Sequence, residues 1–117
     1  MQMYQQQTKF AKDFAKLIQY ILSKGLYLSL GEVYRTPEQA AIYAKQGKGI
    51  VDSLHIKRLA VDLNLFNSNG EYLINSKSYE DFGKYWESLD TQNRWGGYFT
   101  QRGGHIDDPY HFEHKPS

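Results

Sequence analysis

The chain contains no cysteine. Disulfide staples, thiolate metal sites and cysteine nucleophiles are all excluded, so any metal must be held by nitrogen and oxygen. Charge of one sign is lacking too. Fourteen Lys and Arg stand against 13 Asp and Glu, a formal net charge of +1, and no broad basic face marks a nucleic-acid partner. No apolar run at the N-terminus reaches signal-peptide length, and none approaches the roughly 20 residues of a membrane span. The sequence predicts a protein made in the cytoplasm, without stable membrane insertion, that relies on another agent to reach any external substrate. Repeats, low-complexity tracts and linkers are absent. A length of 117 residues suits one domain with a real core, expected to span 1–117 and to be a monomer.

Aromatic residues are plentiful, with ten tyrosines. They suit a half-buried polar groove as well as core positions with solvated hydroxyls. Residues 5–24 read as an amphipathic helix: Phe10, Phe14, Leu17, Ile18, Ile21 and Leu22 recur at helical spacing, and Gly25 supplies the stop. Lys9, Lys12 and Lys16 line the opposite side, which reads as the solvated face of a core-packed helix rather than a membrane-binding one. A strand is expected over 26–33. A helix follows, with Thr36 as cap and Pro37 at its first position, reaching Lys45 and ending at Gly47.

Residues 59–66 alternate, with Ala60, Asp62 and Asn64 on one face and Leu63 and Leu65 on the other. Asn67 to Gly70 has hairpin-turn chemistry, so 72–74 is expected to return as a strand. A second amphipathic helix is predicted over 79–89, with Phe82, Trp86 and Leu89 inward. Trp95-Gly96-Gly97-Tyr98-Phe99 and Gly103-Gly104 read as a glycine-rich connection over a site, and 110–114 as a short final strand. The pattern is α+β: helices packed on a small antiparallel sheet.

Chemistry concentrates in two segments. Ser53-Leu54-His55 precedes Ala60-Val61-Asp62, and Asp107-Asp108-Pro109-Tyr110-His111-Phe112-Glu113 lies near the C-terminus. Two histidines and a carboxylate suit a catalytic zinc with a fourth position for water, and a spare carboxylate beside that water completes a metallohydrolase. Seven residues of continuous strand would separate His55 from Asp62 by roughly 23 Å at ~3.3 Å per residue, so His55 is expected on a bend and Asp62 on the strand after it. Pro109 fixes a turn ahead of His111 that can bring Asp108 back beside it. Glu113 shares strand parity with His111 and can brace it or meet substrate. His105, after two glycines, and His114, of opposite parity to His111, are weaker ligands. Asp107 competes with Asp108, and spacing alone does not separate them.

These residues resemble the zinc D-alanyl-D-alanine carboxypeptidase and L-alanyl-D-glutamate endopeptidase family, which includes vancomycin-resistance D,D-peptidases and many phage endolysins. Ser53, His55, Ala60 and Asp62 match its first motif with spacing intact, and Arg58 stands where the family has glycine. Asp108, His111, Phe112 and Glu113 match its second. Tyr34-Arg35-Thr36-Pro37-Glu38-Gln39 resembles its arginine segment, with Glu and Gln slightly shifted. Trp95-Gly96-Gly97 is similar to the endolysin branch. The matches run from about residue 33 to 113.

The resemblance implies a Hedgehog/D,D-peptidase-like fold, with His55, Asp62 and His111 as ligands of Zn2+ and Asp108 as general base. It implies Arg35 as the cation for an oxyanion or a substrate carboxylate. Ser53 would bind substrate or brace the ligand loop, and Glu113 and Gln39 would support the site or contact substrate. The implied substrate is the stem peptide of bacterial peptidoglycan. Cleavage between L-Ala and D-Glu by a phage or prophage endolysin, released through a holin for cell lysis, is the favoured expectation. D-alanyl-D-alanine carboxypeptidase activity is the nearest rival. A non-catalytic zinc-binding interaction module, as the Hedgehog signalling domain illustrates, is the alternative of another class.

Overall fold

A helix layer and a sheet layer share one core. The computed structural model describes residues 1–50 and 52–116. Helix α1 (Met3–Ser23) begins where the main-chain N–H of Gln2 donates to Gln5 Oε1 at 2.8 Å, and it stops before Gly25, whose φ of 78° lies in the left-handed region. Phe10, Leu17 and Ile21 are buried along one stripe, as the periodicity predicts. Leu22 departs from the expected stripe and is 53% exposed, because it lies at the helix's outer edge one residue past Ile21. No described helix is long and apolar enough to cross a membrane.

The sheet is antiparallel, its strands lying in the order β1 (Tyr27–Leu30), β2 (Ala60–Phe66), β4 (His111–His114) and β3 (Asn93–Trp95). Strand β1 (Tyr27–Leu30) is shorter than the expected 26–33. Its contact with the next strand nevertheless continues irregularly: Gly31 N–H donates to Asp62 O at 2.7 Å, and Asp62 N–H donates to Glu32 O at 2.9 Å. Helix α2 (Pro37–Lys45) starts as predicted, with the Thr36 hydroxyl accepting from Gln39 N–H. Strand β2 (Ala60–Phe66) points Val61, Leu63 and Leu65 into the core.

Two strand expectations need correction. Residues 72–74 form only an isolated bridge from Tyr72 to Phe66 and one bond from Leu73 N–H to Leu65 O. The turn does form, with Gly70 N–H on Asn67 O at 2.9 Å. Helix α3 (Ser76–Leu89) then starts three residues before the expected 79, leaving no length for a ladder. Conversely, β3 (Asn93–Trp95) is a strand where a glycine-rich connection was expected to begin at Trp95; three residues carry too short a pattern to read. Two single-turn 3-10 helices follow, Gly96–Tyr98 and Thr100–Arg102, before β4 (His111–His114).

Helices α1 and α3 cover one face of this sheet. The Trp86 ring meets Phe10 edge-on at 5.6 Å and Phe112 edge-on at 6.3 Å, and its indole N–H donates to Glu113 O at 2.9 Å. Alternation along β2 and β4 therefore turns Asp62, His111 and Glu113 to the other face. A buried polar cluster also sits in the helix layer, which the sequence did not announce. Asp13 is fully buried, paired with Lys9 Nζ at 2.9 Å and with Asn93 Nδ2 at 3.1 Å, while Asn93 Oδ1 meets His114 Nδ1 at 2.8 Å.

Candidate metal centre

Asp62 and His111 occupy directly opposed positions on β2 and β4. His55 reaches them from a tight turn. Ile56 N–H bonds Ser53 O, Lys57 N–H bonds Leu54 O, and Leu59 N–H returns to Leu54 O at 3.0 Å. The Ser53 hydroxyl accepts the His55 N–H at 3.2 Å and is itself buried, so it braces this turn. The bend required by the His55–Asp62 spacing is thus present. It closes through Arg58 at φ 58°, the left-handed conformation that glycine adopts without strain. Arg58 keeps the turn that a glycine would make, and its guanidinium stacks over Tyr34 at 4.0 Å.

His55 Nε2 lies 3.4 Å from Asp62 Oδ1, and His111 Nδ1 lies 3.2 Å from the same oxygen. One ligand atom from each residue falls within 4.8 Å of the others. Bonds of 2.0–2.1 Å to a tetrahedral zinc put neighbouring donor atoms about 3.3 Å apart, so these contacts fit a shared ion. The donor set of two imidazoles and one carboxylate also suits zinc.

The electrostatics favour charge at this point. Burial opposes ionisation of Asp62, yet hydrogen bonds from His111 and His55 outweigh it and hold the carboxyl well below its usual range. Burial likewise opposes a charged His111, but Asp62 and Glu113 on either side raise its pKa to about 9. Glu113 is nearly buried, with Oε1 2.7 Å from His111 Nε2 and Oε2 3.0 Å from Arg94 Nε. A carboxylate on the far nitrogen of a histidine fixes its ring and tautomer for metal binding.

The two competing aspartates part company. Asp107 Oδ1 accepts from both the N–H and the hydroxyl of Thr100, at 2.8 Å each, and so ties down the second 3-10 turn. Asp108 lines the cleft with the histidines. Burial raises its pKa, the nearby Asp62 adds to that, and His111 and the Tyr110 N–H pull the other way. Its turn is held by Asp108 N–H to Gly96 O at 2.8 Å and His111 N–H to Asp108 O at 3.1 Å. Trp95-Gly96-Gly97 therefore does not lie over the site as expected. It is packed beneath, with the Trp95 ring against Gly83 of α3, where any Cβ would fall 2.1 Å from the indole.

The cleft over the three residues has a volume of about 650 Å³. Arg35 lines it, with its main-chain N–H on His55 O at 3.3 Å and its guanidinium over Tyr43 at 4.9 Å. Gln39 does not line the cleft; it sits in the first turn of α2, where its main-chain N–H serves the Thr36 cap. His105 stands exposed on the cleft wall, contributed by the glycine-rich 103–106 stretch that does flank the site. His114 is buried on the opposite face of the sheet. Glu32 was missed by sequence reasoning, although its side chain lies 2.6 Å from Arg35 and 3.7 Å from His55 Nδ1. Its position three residues before Arg35 was the available clue.

A scan of the sequence against family models finds no match, and a search of curated proteins finds none either. Solved structures do match. The L-Ala D-Glu endopeptidase ChiX of Serratia marcescens aligns with a TM-score of 0.68 over 89% of this chain and 79% of its own, at 18% identity. A variant of the D,D-pentapeptidase VanY from a VanB-type vancomycin-resistance cassette, solved in complex with Zn(II), aligns with a TM-score of 0.58 over 92% of this chain and 71% of its own, at 17% identity. The fold is the D,D-peptidase-like α+β fold expected from the motifs.

Proposed function

We propose that this protein is a zinc peptidase acting on the stem peptide of bacterial peptidoglycan, cleaving between L-Ala and D-Glu. The observation that carries the proposal is the convergence of His55, Asp62 and His111 at zinc-compatible separations in a cleft lined by Asp108 and Arg35. The likeness to ChiX, an L-Ala D-Glu endopeptidase, supports the choice of bond. The likeness to the zinc-bound VanY supports the metal.

A bound zinc would supply a Lewis acid and bring the pKa of a water toward ~7. Asp108 then accepts a proton from the attacking water and returns it to the departing amine. Its raised pKa makes Asp108 a stronger base for the first half of that exchange. Arg35 meets the negative charge that develops on the scissile carbonyl oxygen, an interaction strongest in the transition state. Ser53 and Glu113 hold His55 and His111 in place. Service as a phage or prophage endolysin, delivered to the wall through a holin, is the biological setting we propose for this chemistry.

Mass spectrometry of defined muropeptides, incubated with the protein with and without a chelator, tests the proposal. Chelator-sensitive release between L-Ala and D-Glu is expected. Loss of terminal D-Ala alone would keep the chemistry and move the activity to that of a D,D-carboxypeptidase. Intact muropeptides with zinc-loaded protein would leave a non-catalytic zinc-binding module.

A further inference from the structure

Glu32 has no role in the chemistry above, yet one of its carboxylate oxygens lies between two groups that do. Oε1 is 2.6 Å from both Nε and a terminal nitrogen of Arg35, and 3.7 Å from Nδ1 of His55. The main-chain carbonyl of the same residue accepts the Asp62 N–H at 2.9 Å. Glu32 thus touches the arginine, faces one candidate ligand and fixes the backbone of another.

We infer that Glu32 is a positioning residue that couples Arg35 to the metal centre by orienting the His55 ring. This rests on the zinc reading of the site. Nε2 of His55 faces Asp62, so when it ligates an ion the ring's proton belongs on Nδ1. That nitrogen is buried with no hydrogen-bond partner among the described residues, and Glu32 is the carboxylate facing it. A shift of roughly 0.7 Å would close the gap to ordinary hydrogen-bond length, and a ring drawn onto an ion has reason to settle there.

The other side of the centre shows the completed version of this arrangement. His111 Nε2 meets Glu113 at 2.7 Å, and Glu113 meets Arg94 at 3.0 Å. Each histidine is followed by a carboxylate, and each carboxylate by an arginine lining the same cleft. On the Glu32 side the arginine is the one assigned to the developing oxyanion. One oxygen therefore sets both where the ligand points and where the cation waits. Tyr43 under the guanidinium adds a second restraint on Arg35.

The test is zinc affinity, measured by competition with a chromophoric chelator, in the wild type, Glu32→Ala and Glu32→Gln, alongside muropeptide kinetics and thermal unfolding. Glu32→Ala is expected to weaken zinc ten- to a hundredfold, although it removes no ligand. Glu32→Gln keeps an oxygen that can accept from His55 Nδ1, so it should recover most of the zinc affinity. It loses the charge that anchors Arg35, so its kcat should stay depressed. A purely structural role would lower the unfolding temperature of both variants without this split. Zinc binding by folded Glu32→Ala within twofold of wild type, or by Glu32→Gln as weak as by Glu32→Ala, overturns the inference and leaves the zinc reading intact. A wild-type protein that takes up no zinc overturns both.

Discussion

The indole N–H of Trp95 donates to the carbonyl of Pro109 at 2.8 Å, so the last residue of β3 grips the turn that carries Asp108. Gly96 holds the same turn from the next position. A Cβ there would stand 2.1 Å from Asp108 O, closer than any real contact allows. Trp95→Phe keeps most of the ring but leaves the Pro109 carbonyl unpaired, a loss of about 1–3 kcal/mol. Denaturant unfolding should show it, and muropeptide hydrolysis should fall further than zinc affinity because Asp108 is displaced more than the ligands on β2 and β4. Gly96→Ala should be the more damaging of the two. A Trp95→Phe protein as stable and active as wild type would show that the bond does not secure the turn.

Arg58 makes a different prediction. Its left-handed backbone costs a non-glycine residue about 1–2 kcal/mol, while its stacking on Tyr34 returns about 0.5–1 kcal/mol. Arg58→Ala keeps the strain and loses the stacking, so it should be the least stable of the three forms. Arg58→Gly loses the stacking but relieves the strain, and should stay within about 1 kcal/mol of wild type. Urea midpoints for the three proteins give the ordering directly. Alanine above glycine would mean that the turn does not need φ above zero.

Asp107 and Asp108 are neighbours with separable fates. Asp108→Asn should lower kcat by about a hundredfold or more while leaving zinc bound, since proton transfer is lost and the ligands are not. Asp107→Asn weakens the two bonds from Thr100 and should reduce stability more than it reduces kcat. Comparing kcat and zinc stoichiometry in the two variants decides it. The reverse pattern, with Asp107→Asn inactive and Asp108→Asn active, would transfer the role of base to Asp107.

Much of this could be read from the sequence, for identifiable reasons. Helices α1 and α3 carry long apolar periods, and Thr36-Pro37 marks the start of α2 chemically, so all three elements were anticipated. The His55–Asp62 spacing forced a bend because a straight strand could not bring the two together. What escaped reading was either short or nonlocal. Three residues of β3 have no period, and the return strand after Gly70 was pre-empted by an early helix start. Glu32 acts through a contact to His55 across 23 positions of sequence, and Asp13 is buried against Asn93, which lies 80 positions away. Pairings of that kind arise only when the sheet has assembled.

His111 gives the site a pH dependence of definite sign. Flanked by Asp62 and Glu113, its imidazole holds a proton up to a pH of about 9 in the metal-free protein. That raised pKa contributes stability present in full below the ordinary histidine value of ~6.5, and the contribution disappears as pH rises through about 9. Metal requires the neutral ring, so ion and proton compete for the site. At pH 7, zinc binding should release about one proton from His111. Apparent affinity should climb roughly tenfold per pH unit and level off near pH 9. Calorimetric titration at pH 7 in two buffers of different ionisation enthalpy counts the proton. Glu113→Gln removes one of the two carboxylates that hold it, so less than a full proton should be released. Equal release in the two proteins would show that Asp62 alone keeps His111 charged.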